Sequence, residues 1–155
     1  MRRWARASAL ILTLTACGRG TASRGLDPAP VTATATLGAE AAAARDAVTA
    51  FITAEAGGER GADTLLAAEA DFIMTGIAVT QRPRLAGLNG PGQAVVEAAT
   101  TRVGGALAWV TVVYRFESPI PDLNERGRGT FVLERQRAGW RIRHVHTSMV
   151  ERWDR

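Results

Sequence analysis

Hydrophobic positions along the chain fall into three regimes. Ala7 to Leu14 is a short, nearly unbroken apolar stretch. Residues 18–37 show no apolar periodicity. From Ala39 onward regular spacing sets in. Ala44, Val48, Phe51, Ile52 and Glu55 recur at helical intervals, and Ala41 to Ala44 are strong helix formers. Gly57-Gly58 predicts the end of this helix. Asp63 stands where it would cap a second short helix holding Leu65, Leu66 and Ala68. Asp71 to Gly76 then reads as a strand. Ala78 to Gly92, with Pro83, Pro91 and several glycines, reads as loop, and Pro91 would open a short helix over Gln93 to Ala99.

The last third is the most regular. Ala106 to Phe116 is rich in β-branched and aromatic residues, including Trp109, Val110, Thr111, Val112, Val113 and Tyr114. Gly129 to Arg135 and Trp140 to Val150 form two more strand patterns, joined tightly through Arg137-Ala138-Gly139. A hairpin closed at residues 136–139 sets Arg135 opposite Trp140, Leu133 opposite Ile142 and Phe131 opposite His144. No internal repeat is seen. Helices followed by long antiparallel strands predict an α+β domain, with the N-terminal helices packed on one face of a curved sheet.

The N-terminus changes the picture of where this domain works. Arg2, Arg3 and Arg6 precede the apolar stretch, which is far shorter than the roughly 20 residues that span a bilayer. It fits the hydrophobic region of an export signal over residues 1–16. Leu14-Thr15-Ala16-Cys17 follows and resembles the bacterial lipobox: small side chains let the backbone enter the peptidase, and the thiol takes the lipid. That resemblance implies cleavage before Cys17, lipidation of Cys17 and anchoring of the exported chain to a cell-envelope membrane. The membrane would be the outer face of the inner membrane, or the outer membrane where one exists. Stable anchoring takes more than one acyl chain. Residues 17–37, rich in Gly, Ser, Thr, Ala and Pro, then read as lipidated cysteine and flexible tether, with the domain over 38–155.

Charge argues against one class of partner. All 19 basic residues are arginine, and three lie in residues 1–16, which hold no acid. The exported remainder is therefore nearly neutral, with 16 arginines against 15 acidic residues. No basic stripe interleaved with aromatics is present, so nucleic acid is not an expected partner. The single cysteine, Cys17, leaves no internal disulfide.

Gly129-Thr130-Phe131-Val132-Leu133-Glu134-Arg135, a short turn, and Gly139-Trp140-Arg141-Ile142-Arg143-His144-Val145-His146-Thr147-Ser148 resemble the closing hairpin of the SnoaL-like branch of the nuclear transport factor 2-like superfamily, also called ketosteroid isomerase-like. Ala108-Trp109-Val110-Thr111 is similar to its central strand, and Asp71-Phe72 to the start of its first strand. The resemblance covers Ala39 to Val150. It implies a cone: a strongly bent antiparallel sheet around a long helix, open at one end and often dimerised through the sheet's back. Members include isomerases, dehydratases, cyclases and many non-catalytic binding domains, so fold alone does not name an activity.

Candidate chemistry gathers on the last strand. Unbroken alternation puts His144, His146 and Ser148 on one face with Trp140 and Ile142, either as a polar cavity wall able to bind a carbonyl or move a proton, or as structural histidines. Asp71 is the candidate general base if buried in an apolar cavity, where its pKa would rise; it also suits a junction residue that accepts backbone N–H groups. Tyr114, Trp140 and Ser148 are candidate ligand contacts, with core packing as the plainer role for the aromatics. Arg141 and Arg143 point away from Ile142 and are set against acids such as Glu134. A His-x-His pair supplies two nitrogens where zinc takes at least three protein ligands, so no metal and no cofactor are expected. Tyr114 does not match the position of the family's oxyanion tyrosine. The favoured reading is a lipid-anchored, non-catalytic domain that binds a small apolar ligand or a partner and forms a homodimer. The alternative is an isomerase, lyase or hydrolase of the ketosteroid isomerase type using Asp71 with His144 or His146.

Overall fold

A computed structural model describes residues 31–88, 90–120 and 124–153. The expected export signal, Cys17 and the part of the expected tether up to residue 30 lie outside them. Helix α1 spans Val31–Ala56. Its start is earlier than the Ala-rich run implies, so residues 31–37 of the expected tether are helical. Pro30 stands just before it, and neither Pro nor Gly interrupts Val31 to Leu37, which lets the helix propagate through weaker formers. Ala44, Val48, Phe51, Ile52, Glu55 and Ala56 form its buried stripe. The helix ends at Gly57-Gly58, where Gly58 takes a left-handed φ of +71° that a side chain would resist.

The expected second helix is a 3₁₀ turn, Arg60–Leu65, and the chain is already extended at Leu66. Strand β1 covers Leu66–Met74 and pairs in parallel with the last strand, Leu66 opposite Ile142. That long-range pairing overrides the helical preference of an Ala-rich window. A turn at Thr75-Gly76 leads to the two-residue β2, Ile77–Ala78. The expected helix over Gln93 to Ala99 is the start of a long strand, β3, Gln93–Gly104. It pairs antiparallel with β4, Leu107–Glu117, from Gln93 opposite Glu117 to Gly104 opposite Leu107. Strands β5, Asn124–Gln136, and β6, Gly139–Trp153, complete a six-stranded sheet of order β2-β1-β6-β5-β4-β3. The sheet is mixed, because β1 and β6 run parallel while the other pairs are antiparallel.

The curved, unclosed sheet wraps α1 and makes the α+β cone. Phe51 of α1 meets Phe131 of β5 edge-on at 6.2 Å and stacks on Phe72 of β1 at 6.3 Å. Ile52, Val110, Leu133, Ile142 and Val145 close around them. Burying each such side chain stabilises by roughly 1.5–3 kcal/mol.

One irregularity decides which residues face outward. Arg135 lies opposite Trp140 and Leu133 opposite Ile142, as the hairpin pattern predicts. The third pair differs: Phe131 lies opposite Val145, and His144 opposite Val132. Arg143 is an extra residue on β6, a bulge that shifts the alternation by one. Trp140 and Ile142 point inward before it, and Val145 and Thr147 point inward after it. His144, His146 and Ser148 therefore lie on the outer face, opposite to Trp140 and Ile142.

Candidate functional site

On the outer face, β1 and β6 bring Asp71 and His144 together. The two are register partners, and His144 Nδ1 lies 2.9 Å from Asp71 Oδ2, a contact in which the imidazole N–H donates to the carboxylate. The pair is open to solvent, with 65% of the Asp71 side chain and 32% of the His144 side chain exposed. Asp71 is thus not in an apolar cavity, and the burial expected of a general base there is absent. His146 follows on the same face, between Thr130 of β5 and Ile73 of β1, and Ser148 lies opposite Arg128. Arg143, the bulged residue, reaches Glu69 at 3.2 Å and Glu134 at 3.6 Å. Among the described residues no group of three His, Cys, Asp or Glu side chains is placed to hold a metal ion.

Tyr114 and Trp140 lie on the other side of the sheet. The Trp140 indole N–H donates to Glu40 of α1 at 3.1 Å, and the Arg135 guanidinium sits 5.3 Å from its ring and pairs with Glu40. This pins the hairpin to the helix and leaves Trp140 buried. Tyr114 is fully buried, and its hydroxyl donates to the carbonyl of Ala86. Burial pushes the Tyr114 phenol above its ordinary range. A hydrogen bond with Thr147 works the other way, and the nearby Glu125 carboxylate raises it further. The phenol therefore keeps its proton and serves as a donor.

Residue Ala86 belongs to a strap that fills the interior of the cone. Within the segment expected to be loop, Leu85, Ala86 and Leu88 are 0%, 3% and 2% exposed. The Ala86 N–H donates to Thr147 Oγ1 at 2.9 Å, so both polar backbone atoms of Ala86 are satisfied by the sheet. Gly87 follows at φ +84° and lies so near Glu125 that a Cβ would approach its carboxylate to 3.3 Å. Arg84 starts the strap. Its guanidinium lies 5.5 Å from the Phe51 ring and 5.0 Å from the Phe72 ring and binds Glu55 and Asp63. Burial opposes the Arg84 charge, but these two carboxylates outweigh it and raise its pKa. The hydrogen bond from Arg84 in turn holds the Asp63 carboxyl below its ordinary range, with Arg82 adding to the effect. Asp63 thus anchors the strap rather than capping a helix.

The candidate residues therefore divide between two faces. Asp71, His144, His146 and Ser148 are outside; Tyr114 and Trp140 are inside and engaged in structural contacts. Arg84, Thr147 and the strap were not singled out by sequence reasoning, and Glu55 was read only as a member of the helical stripe. A buried loop has no periodicity to find, and Arg84 reads like any surface arginine. The outer face also has a shallow depression of about 510 Å³ lined by Thr100, Arg102, Val103, Gly104, Trp109 and Thr111. Trp109 is 42% exposed there.

Comparison with known proteins agrees with this architecture. No curated protein matches the chain. Among solved structures, the CaMKII hub homology domain of Chlamydomonas reinhardtii is similar, with 18% identity, a TM-score of 0.56, and coverage of 72% of this chain and 98% of that one. A nuclear transport factor 2-like protein of unknown function from Pseudomonas putida shares 17% identity at a TM-score of 0.56, covering 72% and 87% of the two chains. A nuclear transport factor 2-like superfamily protein from Salmonella enterica serovar Typhimurium shares 16% identity at a TM-score of 0.56, covering 76% and 94%. At these identities the likeness is one of fold. The model of the SnoaL-like domain family matches residues 31–151, nearly the whole of the described cone. The chain belongs to the SnoaL-like domain family.

Proposed function

We propose that this protein is a lipoprotein held to an envelope membrane through Cys17, and that its SnoaL-like domain is a non-catalytic binding module acting through the outer face of its sheet. The observation that carries this reading is the filled cone. Leu85, Ala86 and Leu88 occupy the interior, and the Tyr114 hydroxyl and the Thr147 hydroxyl both bond the strap. A small apolar ligand would have to displace the chain's own leucines. Isomerase-type chemistry needs an acid–base group and a hydrogen-bond donor converging on one reacting atom. Here Asp71 and His144 are on the opposite face from Tyr114.

The outer face has what a binding surface needs. Trp109 and Leu107 are exposed at 42% and 39%, beside the threonines of β3, β4 and β5. Exposed aromatic side chains rimmed by polar groups mark interaction surfaces. The partner we assign to it is a second copy of the chain, in keeping with the sheet-to-sheet dimers of the family.

Anchoring is tested by cell fractionation. The Cys17→Ala chain is expected to leave the membrane fraction and to retain or lose its signal without lipid. A variant that is processed normally and stays membrane-bound would refute the anchor.

A further inference from the structure

Three elements come together at one end of the cone. The β3–β4 turn at Gly105-Ala106 and the β5–β6 turn at Arg137-Ala138 lie side by side, since the Arg135 N–H donates to the Ala106 carbonyl at 2.8 Å. The front half of α1 reaches the same end, where Glu40 takes the Trp140 indole N–H and the Arg135 guanidinium. The last turn of α1 marks the opposite pole, where the Ala56 carbonyl accepts the Gly92 N–H at 2.8 Å.

The two poles differ in charge. Arg102, Arg135, Arg137 and Arg141 stand within three residues of the two turns, and the acids beside them are Glu134 and Glu40. Arg102 and Arg137 are exposed, and neither they nor Arg141 has an ion pair among the described residues. At the opposite pole the arginines are paired, Arg82 and Arg84 with Glu55 and Asp63, and Arg115 with Glu117. The turn end is therefore the positive end of the cone. Leu37, 57% exposed, adds an apolar side chain on that side of α1.

The expected tether enters at this positive end. Val31 opens α1 about 14 Å beyond Glu40, and the residues from Gly18 to Pro30 can span at most about 45 Å. With Ala56 turned toward a membrane, the chain would have to run back along the whole of α1, about 39 Å, before Cys17 met lipid. That orientation would hold the tether near full extension, at a large cost in chain entropy. We propose that the cone stands on the membrane with its turn end down, Arg102, Arg137 and Arg141 set against the phosphates of acidic phospholipid headgroups. The inference rests on the Cys17 anchor proposed above and adds which end of the domain meets the membrane and by what chemistry.

Each arginine near an acidic surface favours the contact by about fivefold, and the attraction acts across a Debye length of about 8 Å at physiological salt. A few such arginines hold a free domain only weakly. On a chain already fixed by its lipid they need only select an orientation, because the tether keeps the domain at high effective concentration over the surface. The strands then rise from the membrane, and the outer face of the sheet looks along the membrane plane, open to a partner anchored beside it.

The test uses the full chain, processed and lipidated by the expressing cell and reconstituted into phosphatidylcholine vesicles with or without phosphatidylglycerol. A fluorophore is placed at the turn end through Ala138→Cys or at the opposite pole through Gly61→Cys, and its quenching by lipid spin-labelled in the headgroup is read. With phosphatidylglycerol present, the turn-end label is expected to be quenched at least about threefold more than the other, an excess that falls when salt is raised or phosphatidylglycerol is left out. Arg102→Glu combined with Arg137→Glu is expected to remove most of that excess, with circular dichroism unchanged. Arg60→Glu, the same charge change beside Gly61 at the opposite pole, is expected to leave it in place. Equal quenching at the two positions, or a turn-end excess that the paired arginine changes do not reduce, would overturn the inference while leaving the anchor standing. A chain that does not stay with the vesicles would overturn the anchor itself, and this reading with it.

Discussion

Replacing Arg84 with alanine is expected to destabilise the domain by about 3 kcal/mol, seen as a fall in Tm on the order of 10 °C. The reason lies beneath the strap. Glu55 has a side chain that is only 1% exposed, and its Oε2 atom is buried with no hydrogen-bond partner. Arg84, itself 9% exposed, supplies the charge that makes a carboxylate tolerable there. Taking away one member of a buried pair typically costs about 3–5 kcal/mol, because the other is left uncompensated. Arg82 lies 3.3 Å from Glu55 and keeps part of the compensation, which places the loss at the lower end. The cation also sits over Phe51 and Phe72, contacts an alanine cannot make. If the uncompensated carboxylate is the cause, Glu55→Leu added to Arg84→Ala restores most of the loss, as urea denaturation would show. A double variant no more stable than the single would mean that the aromatic contacts dominate.

Gly127→Ala is expected to cost about as much, roughly 3 kcal/mol, by overpacking rather than by loss. Gly127 sits on β5 directly opposite Tyr114, and a Cβ built there falls onto the Tyr114 ring and hydroxyl. The ring has nowhere to go. It is fully buried and its hydroxyl is fixed to the Ala86 carbonyl. Displacing it would loosen the strap as well as the sheet. Gly61→Ala serves as the control, since nothing lies within 4 Å of its added Cβ and its backbone is not left-handed. That change is expected to stay within about 0.5 kcal/mol of the parent by chemical denaturation. Equal stability of the two variants would mean that Tyr114 is not pinned as described.

Much of the frame was readable from residue spacing. The stripe Ala44, Val48, Phe51 and Ile52 is the buried face of α1, and Gly57-Gly58 ends it. The three long C-terminal strands and the tight turn between β5 and β6 also follow from alternation and turn residues. What was not readable depends on distant contacts. Leu66 is drawn into β1 by Ile142, and Gln93 to Ala99 into β3 by β4, against windows whose alanines favour helix. The strap is buried by what surrounds it and not by a pattern of its own.

The site suffered most from one residue. Trp140-x-Ile142-x-His144-x-His146-x-Ser148 looks like a single unbroken face, and Arg143 has nothing in its side chain that announces a bulge. Inserting it turns three polar residues from the cone interior to the outer surface. The functional reading turns with them, from a cavity wall to an interaction face. The Asp71–His144 contact then has a plain use, since it ties β1 to β6 on that face.

The central claim is that the interior is closed by the chain itself and the outer face does the binding. Native mass spectrometry of the unlipidated chain from Gly18 to Arg155, purified without detergent, tests it most directly. The predicted result is the mass of two chains with no retained small molecule. A stoichiometric small molecule held by a single chain would contradict the account, because it would mean that the strap yields its place to a ligand.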